Sequence, residues 1–209
     1  MRTQKYTLRQ MISIDANQIL KRIGLLSICL GIQLLYFPLN RHQSGGFVPV
    51  LGWDEFIPLL PLWAIPYLLA IPYWIMMYAW ACFFMKTDLF MSCVKVSAIV
   101  FLIGQLSFFL FPTYVIRPTI NNDGWEYMFL KWIYQNDQVH NALPSGHAYI
   151  STIIFLFWRK WLPKYSWLWA GILIIILLST LFTGQHYILD IIAGCLLSLI
   201  IYWAVMKVP

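Results

Sequence analysis

Charge is what this sequence has least of. Only 14 of its 209 residues are Lys or Arg and 8 are Asp or Glu, 11% together, where a soluble domain carries roughly 25%. Hydrophobic residues make up 61%, and the mean hydropathy is +0.71. That balance excludes a water-soluble globule, and the chain reads as a polytopic membrane protein. Cysteine is scarce: Cys29, Cys82, Cys93 and Cys195 all fall inside or beside apolar runs. They lack zinc-ligand spacing and the loop positions of disulfides, and read as small buried hydrophobes. Internal repeats and low-complexity segments are absent. So is a continuous basic face. The net charge of +6 comes from short clusters between apolar runs, which excludes a nucleic-acid partner and points to membrane topology.

What is present is a series of apolar runs. A membrane helix needs about 20 mostly apolar residues, and six stretches qualify, near 23–38, 61–84, 91–111, 148–162, 167–183 and 187–205. The first follows Lys21 and Arg22 like a signal peptide, but bulky and basic residues stand where a small-residue cleavage site would be. Pro61, Pro66 and Pro72 predict a kinked or partly irregular second span. With the N-terminus in the cytoplasm, only Arg41, Arg117 and Lys131 of the 14 basic residues lie outside, as the positive-inside rule requires. Asp54, Glu55, Asp123, Glu126 and Asp137 fall outside. Trp158, Trp161, Trp167 and Trp169 bracket one connection and read as interfacial anchors. The expectation is an all-α bundle of six transmembrane helices with both termini cytoplasmic, a single integral-membrane domain over residues 1–209. Residues 1–20 read as an amphipathic helix on the inner leaflet or as a frayed tail. The outer segment 112–147 is long enough to be functional or to carry its own short helix.

Topology then brings polar motifs together. "PSGH" (residues 144–147) stands at the outer start of the fourth span, and "TGQHYILD" (183–190) where the fifth span ends and the sixth begins. Arg117, in "YVIRPTI", lies just beyond the outer end of the third. His147, His186 and Arg117 are thus expected on one face at comparable depth. His186 and Asp190 share a helix face at i,i+4 spacing. A carboxylate there fixes the imidazole tautomer and frees the other nitrogen as nucleophile or base. Ser145 suits an N-cap or a phosphate ligand. Gly146 admits close backbone approach at a helix start that favours anions. His147 is placed to protonate a leaving group, and Arg117 offers a fork matching two phosphate oxygens.

These residues resemble the signature of the type-2 phosphatidic acid phosphatase superfamily, which includes inositol phosphorylceramide synthase-like enzymes. Its pattern is Lys, six residues, Arg-Pro; then Pro-Ser-Gly-His; then Ser-Arg, five residues, His, three residues, Asp. The second block is complete at 144–147, and the third keeps Ser179, His186 and Asp190 in register, so the resemblance covers about 117–194. Two cations are missing: Leu110 stands for the Lys and Thr180 for the third-block Arg. "STLFTGQHYILD" resembles the phosphotransferase-like branch, and Lys131, Arg41 or Gln185 are the substitutes the sequence offers.

The resemblance implies a membrane-embedded enzyme acting on a membrane lipid phosphate, with no metal and no other cofactor. His186 would attack phosphorus to give a phosphohistidine, and Asp190 would stabilise the imidazolium. His147 would protonate the leaving oxygen and then activate water or an acceptor hydroxyl. Arg117, Ser145 and the Gly146 amide would bind the equatorial oxygens. Hydrolysis is the first expectation and transfer of a lipid headgroup the alternative, since fewer cations suit a phosphodiester. More distant are a non-catalytic lipid-binding or transport protein, and a zinc hydrolase built on His140, His147, His186 and Asp190. The expected place is a bacterial inner membrane with the site facing the periplasm.

Overall fold

A computed structural model describes residues 15–207. Eight α-helices follow one another: α1 (Ala16–Leu34), α2 (Tyr36–His42), α3 (Ala64–Phe84), α4 (Thr87–Leu110), α5 (Met128–Asn136), α6 (Gly146–Trp161), α7 (Ser166–Phe182) and α8 (Ile188–Lys207). No strand occurs among the described residues. Five helical segments are long and apolar enough to cross a membrane: Ala16–His42, Pro61–Phe84, Thr87–Leu110, Pro163–Phe182 and Ile188–Lys207. Their outward residues are as apolar as their inward ones, with Leu30, Ile75, Leu106, Ile174 and Ile200 all exposed. That surface suits hydrocarbon, and the protein is an integral membrane protein. The four cysteines are free, and Cys29, Cys82 and Cys93 are buried.

The 16 residues of α6 reach about 24 Å at 1.5 Å per residue, short of the roughly 30 Å hydrocarbon core. It is also the hub of the bundle, packed on α3, α4, α7 and α8 and buried from Ala148 through Ile154. Close contact with α8 is made possible by Gly194. A Cβ there would stand 2.7 Å from the Ser145 carbonyl oxygen and 2.8 Å from Ala148 Cβ. Ser198 Oγ donates to the Tyr149 carbonyl at 2.9 Å, pinning the same pair of helices.

Three expectations need correction. The first helix begins at Ala16, not near residue 23, because Arg22 is buried inside it at 3% exposure. Its Nη1 donates to the Cys82 and Met85 carbonyls at 2.9 Å each and its Nη2 to Thr87 Oγ1 at 2.9 Å. A cation is stabilised where it satisfies carbonyls that the end of α3 leaves orphaned. Arg22→Ala is expected to cost about 2 kcal/mol, read as a lower unfolding midpoint in detergent. Second, Trp158 is fully buried and Trp169 nearly so. They pack on Trp80 at ring separations of 6.5 and 6.3 Å, so they belong to the core, while Trp167 is 74% exposed. Third, the irregular part of the second span is confined to its start. Pro61 opens a 3₁₀ turn, Pro66 sits in the first turn of α3, and the helix runs on through Pro72. An amphipathic helix over 1–20 falls mostly outside the described residues.

Segments 43–63 and 112–145 close over the end of the bundle where α4 and α7 finish and α3, α6 and α8 begin. The second carries its own short helix, α5. Phe47 bridges to Thr113 and Tyr114 to His140, and the Leu60 amide donates to the Phe182 carbonyl at 2.8 Å. This end gathers the polar motifs.

Candidate active site

A helix ending, not a helix, presents His186. Gly184 takes a left-handed backbone, φ 63°. Its amide donates to Leu181 O at 2.9 Å and that of Gln185 to Thr180 O at 3.0 Å. This paired return is a Schellman motif, and it turns the chain so that His186 stands between α7 and α8. A Cβ on Gly184 would also lie 3.0 Å from Tyr134 Oη and 3.2 Å from Pro118 Cδ. Gly184→Ala therefore carries roughly 1–2 kcal/mol of backbone strain plus that crowding. Loss of thermal stability and of activity together is the expected result.

Asp190 lies in the first turn of α8, fully buried. Its Oδ2 accepts from the Tyr187 amide at 2.8 Å and faces His186 Nδ1 at 3.3 Å. The contact directs the opposite ring nitrogen, Nε2, away from the carboxylate. A second carboxylate reaches the same helix start from far away in sequence: Asp54 Oδ1 accepts from the Ile188 amide at 2.9 Å. The positive end of α8 is thus held by two acids.

His147 rides on the first turn of α6. Ser145 is the N-cap, its Oγ accepting from the Ala148 amide at 3.3 Å. The Gly146 and His147 amides precede the first intrahelical bond and are free for an anion. The His147 ring stacks on Tyr67 at 4.2 Å and lies against Trp74 at 4.9 Å. Its centroid is 6.2 Å from that of His186, and its Nε2 is buried without a partner. The two motifs are tied directly, because the Ser145 amide donates to the Asp190 carbonyl at 3.0 Å.

Arg117 reaches the same place but is not a free fork. Nη1 donates to the Asp137 carbonyl at 2.7 Å and is 3.4 Å from that of Tyr134. Nη2 donates to the Gln138 carbonyl at 2.9 Å and to Gln185 Oε1 at 2.6 Å. The guanidinium lies 4.7 Å over the Tyr134 ring. Only Nε–H is without a partner. The positions of the missing cations stay empty of charge: Leu110 is exposed and Thr180 fully buried. Lys131 pairs with exposed Asp123, and Arg41 is exposed at the end of α2. Gln185 alone among the three substitutes touches Arg117.

Sequence reasoning missed Tyr67, Trp74, Asp54 and Asp137 as parts of this site. Asp137 accepts from Tyr36 Oη at 2.9 Å and Tyr67 Oη at 3.2 Å, so it holds the ring on which His147 stacks. Local pattern carried no sign of these contacts, which join residues 70 and 134 apart in sequence. His140 lies instead against Tyr114, ring centroids 6.0 Å apart. Among the described residues no three His, Cys, Asp or Glu side chains converge as a metal site.

Over residues 94–209 the sequence matches the PAP2 superfamily. The bacitracin transport permease protein BcrC of Bacillus licheniformis is 33% identical over 78 residues, 34% of this chain and 36% of that protein. The match therefore spans about a third of that relative's length. No solved structure matches.

Proposed function

Because this chain belongs to the PAP2 superfamily, we propose that it cleaves a phosphate ester of a membrane lipid, without a metal, through a phosphohistidine on His186. The observation that carries this reading is the pair of rings 6.2 Å apart, one steadied by Asp190 at 3.3 Å and the other on the turn capped by Ser145. His186 Nε2 attacks phosphorus in line while the bond to the leaving oxygen breaks. His147 delivers a proton to that oxygen. Neutral His147 then takes a proton from water, whose oxygen displaces the histidine and releases phosphate. Asp190 stabilises the imidazolium formed at Nδ1–H. The Ser145 hydroxyl, the Gly146 amide and Arg117 Nε–H bind the oxygens that carry the charge.

The basic residues support six spans within one domain, both termini in the cytoplasm and the site on the opposite face, which in a bacterial inner membrane is the periplasmic one. Transfer is the second reading, favoured by the missing cations at Leu110 and Thr180: an acceptor hydroxyl then replaces water. The test is the purified protein in nanodiscs with a panel of lipid phosphates, with and without glycerol or inositol. Free phosphate supports hydrolysis, and glycerol phosphate or inositol phosphate beside the dephosphorylated lipid supports transfer, both unaffected by a chelator. If neither product forms, the catalytic reading falls, and a non-catalytic lipid-binding or transport role takes its place.

A further inference from the structure

We propose that Gln185 is a phosphate ligand of this site, its amide N–H groups taking the place of a missing cation; this rests on the phosphate-handling reading above. Three observations meet at this side chain. Gln185 is 5% exposed and directly precedes His186. Its Oε1 accepts from Arg117 Nη2 at 2.6 Å, and its Nε2 is buried with no partner.

The orientation of the amide is decided by its neighbour. A guanidinium offers only donors, so the oxygen must face Arg117 and the NH₂ must face the other way. Flipping the amide would set two donors against each other. Arg117 Nε, on the group that Oε1 contacts, is also buried and unpartnered. Two adjacent residues thus hold N–H donors that no protein acceptor satisfies, and buried donors are rarely left so. An anion's oxygens supply what is missing. Asp190 and Asp54 hold the neighbouring helix start, and Asp137 lies behind Arg117. None of these acids accepts from Nε2, which leaves that donor open to a ligand.

The neutral donor also sets the affinity. With Arg117 as its one arginine or lysine among the described residues, the site is expected to hold free dianionic phosphate weakly. It gains selectivity from hydrogen bonds more than from charge.

The decisive variant is Gln185→Glu, which keeps the shape and the acceptor for Arg117 but turns the donor into an acceptor. Inorganic phosphate is titrated against the full chain in nanodiscs, by calorimetry and by thermal shift. The expected result is a Kd for phosphate raised about tenfold or more, with the unliganded midpoint no lower than that of the unsubstituted protein. Gln185→Ala is expected to raise Kd about fivefold, and KM for a turned-over lipid phosphate more than it lowers kcat. Phosphate binding by Gln185→Glu as tight as by the parent chain overturns the proposal, as does a parent chain that binds no phosphate. A parent chain that binds phosphate and loses it on Gln185→Glu, yet turns over no lipid phosphate, supports the ligand role and refutes the catalytic reading.

Discussion

Replacing His186 with alanine is expected to lower turnover by on the order of 10⁴-fold or more, the scale of losing a covalent nucleophile. Among the described residues no other side chain is placed to take over. His147 is boxed between Tyr67 and Trp74 and has no carboxylate at its ring. The protein should still fold, because His186 sits on a turn whose backbone bonds are made by Thr180, Leu181 and Gly184. Brief reaction with ³²P-labelled lipid phosphate should leave an acid-labile, alkali-stable label on the parent chain and none on His186→Ala. Retention of label would move the nucleophile elsewhere. Asp190→Asn should fall by about 10²–10⁴-fold, since a mis-set tautomer is nearly as damaging as a lost ring.

For His147→Ala the expected loss is about 10²–10⁴-fold, and its character is as informative as its size. A general acid matters in proportion to how poor the leaving group is. A lipid alkoxide should suffer the full loss, whereas an aryl phosphate such as p-nitrophenyl phosphate should lose far less in the step that forms the phosphohistidine. Equal losses for both substrates would show that His147 holds the site's shape instead of moving a proton. Tyr67→Phe offers the complementary measurement. It keeps the stacked ring and removes the bond to Asp137, so it should lower activity by a small factor without altering the leaving-group dependence.

The all-helical, membrane-embedded character was legible because apolar runs of membrane length have few alternatives. The number of spans was not: six were expected and five helical segments are long and apolar enough to cross. Nor were helix ends. Arg22 made residues 16–22 look like a flank, since nothing near it in sequence announces that Cys82 and Met85 will receive its charge. The proximity of His147 and His186 could be read because short motifs sat where apolar runs begin and end. What surrounds them could not. Asp54 meets Ile188 across 134 residues, and Tyr67 meets Asp137 across 70. The occupied state of the Arg117 fork depends on the backbone path at Tyr134, Asp137 and Gln138, which no local pattern encodes. Gln185 was one of three named substitutes for the absent cations, and only the packing separates it from the other two.

The bond from the Ser145 amide to the Asp190 carbonyl, with Gly194 allowing the backbones to touch behind it, makes one jaw of two motifs. Helices α6 and α8 cannot spread like a clam to admit a bulky headgroup without breaking it. Access must be negotiated by the loops. Residues 43–63 and 112–144 are therefore the place to alter specificity, with Asp54, Arg117 and Asp137 kept, since these three hold the site from within the same segments.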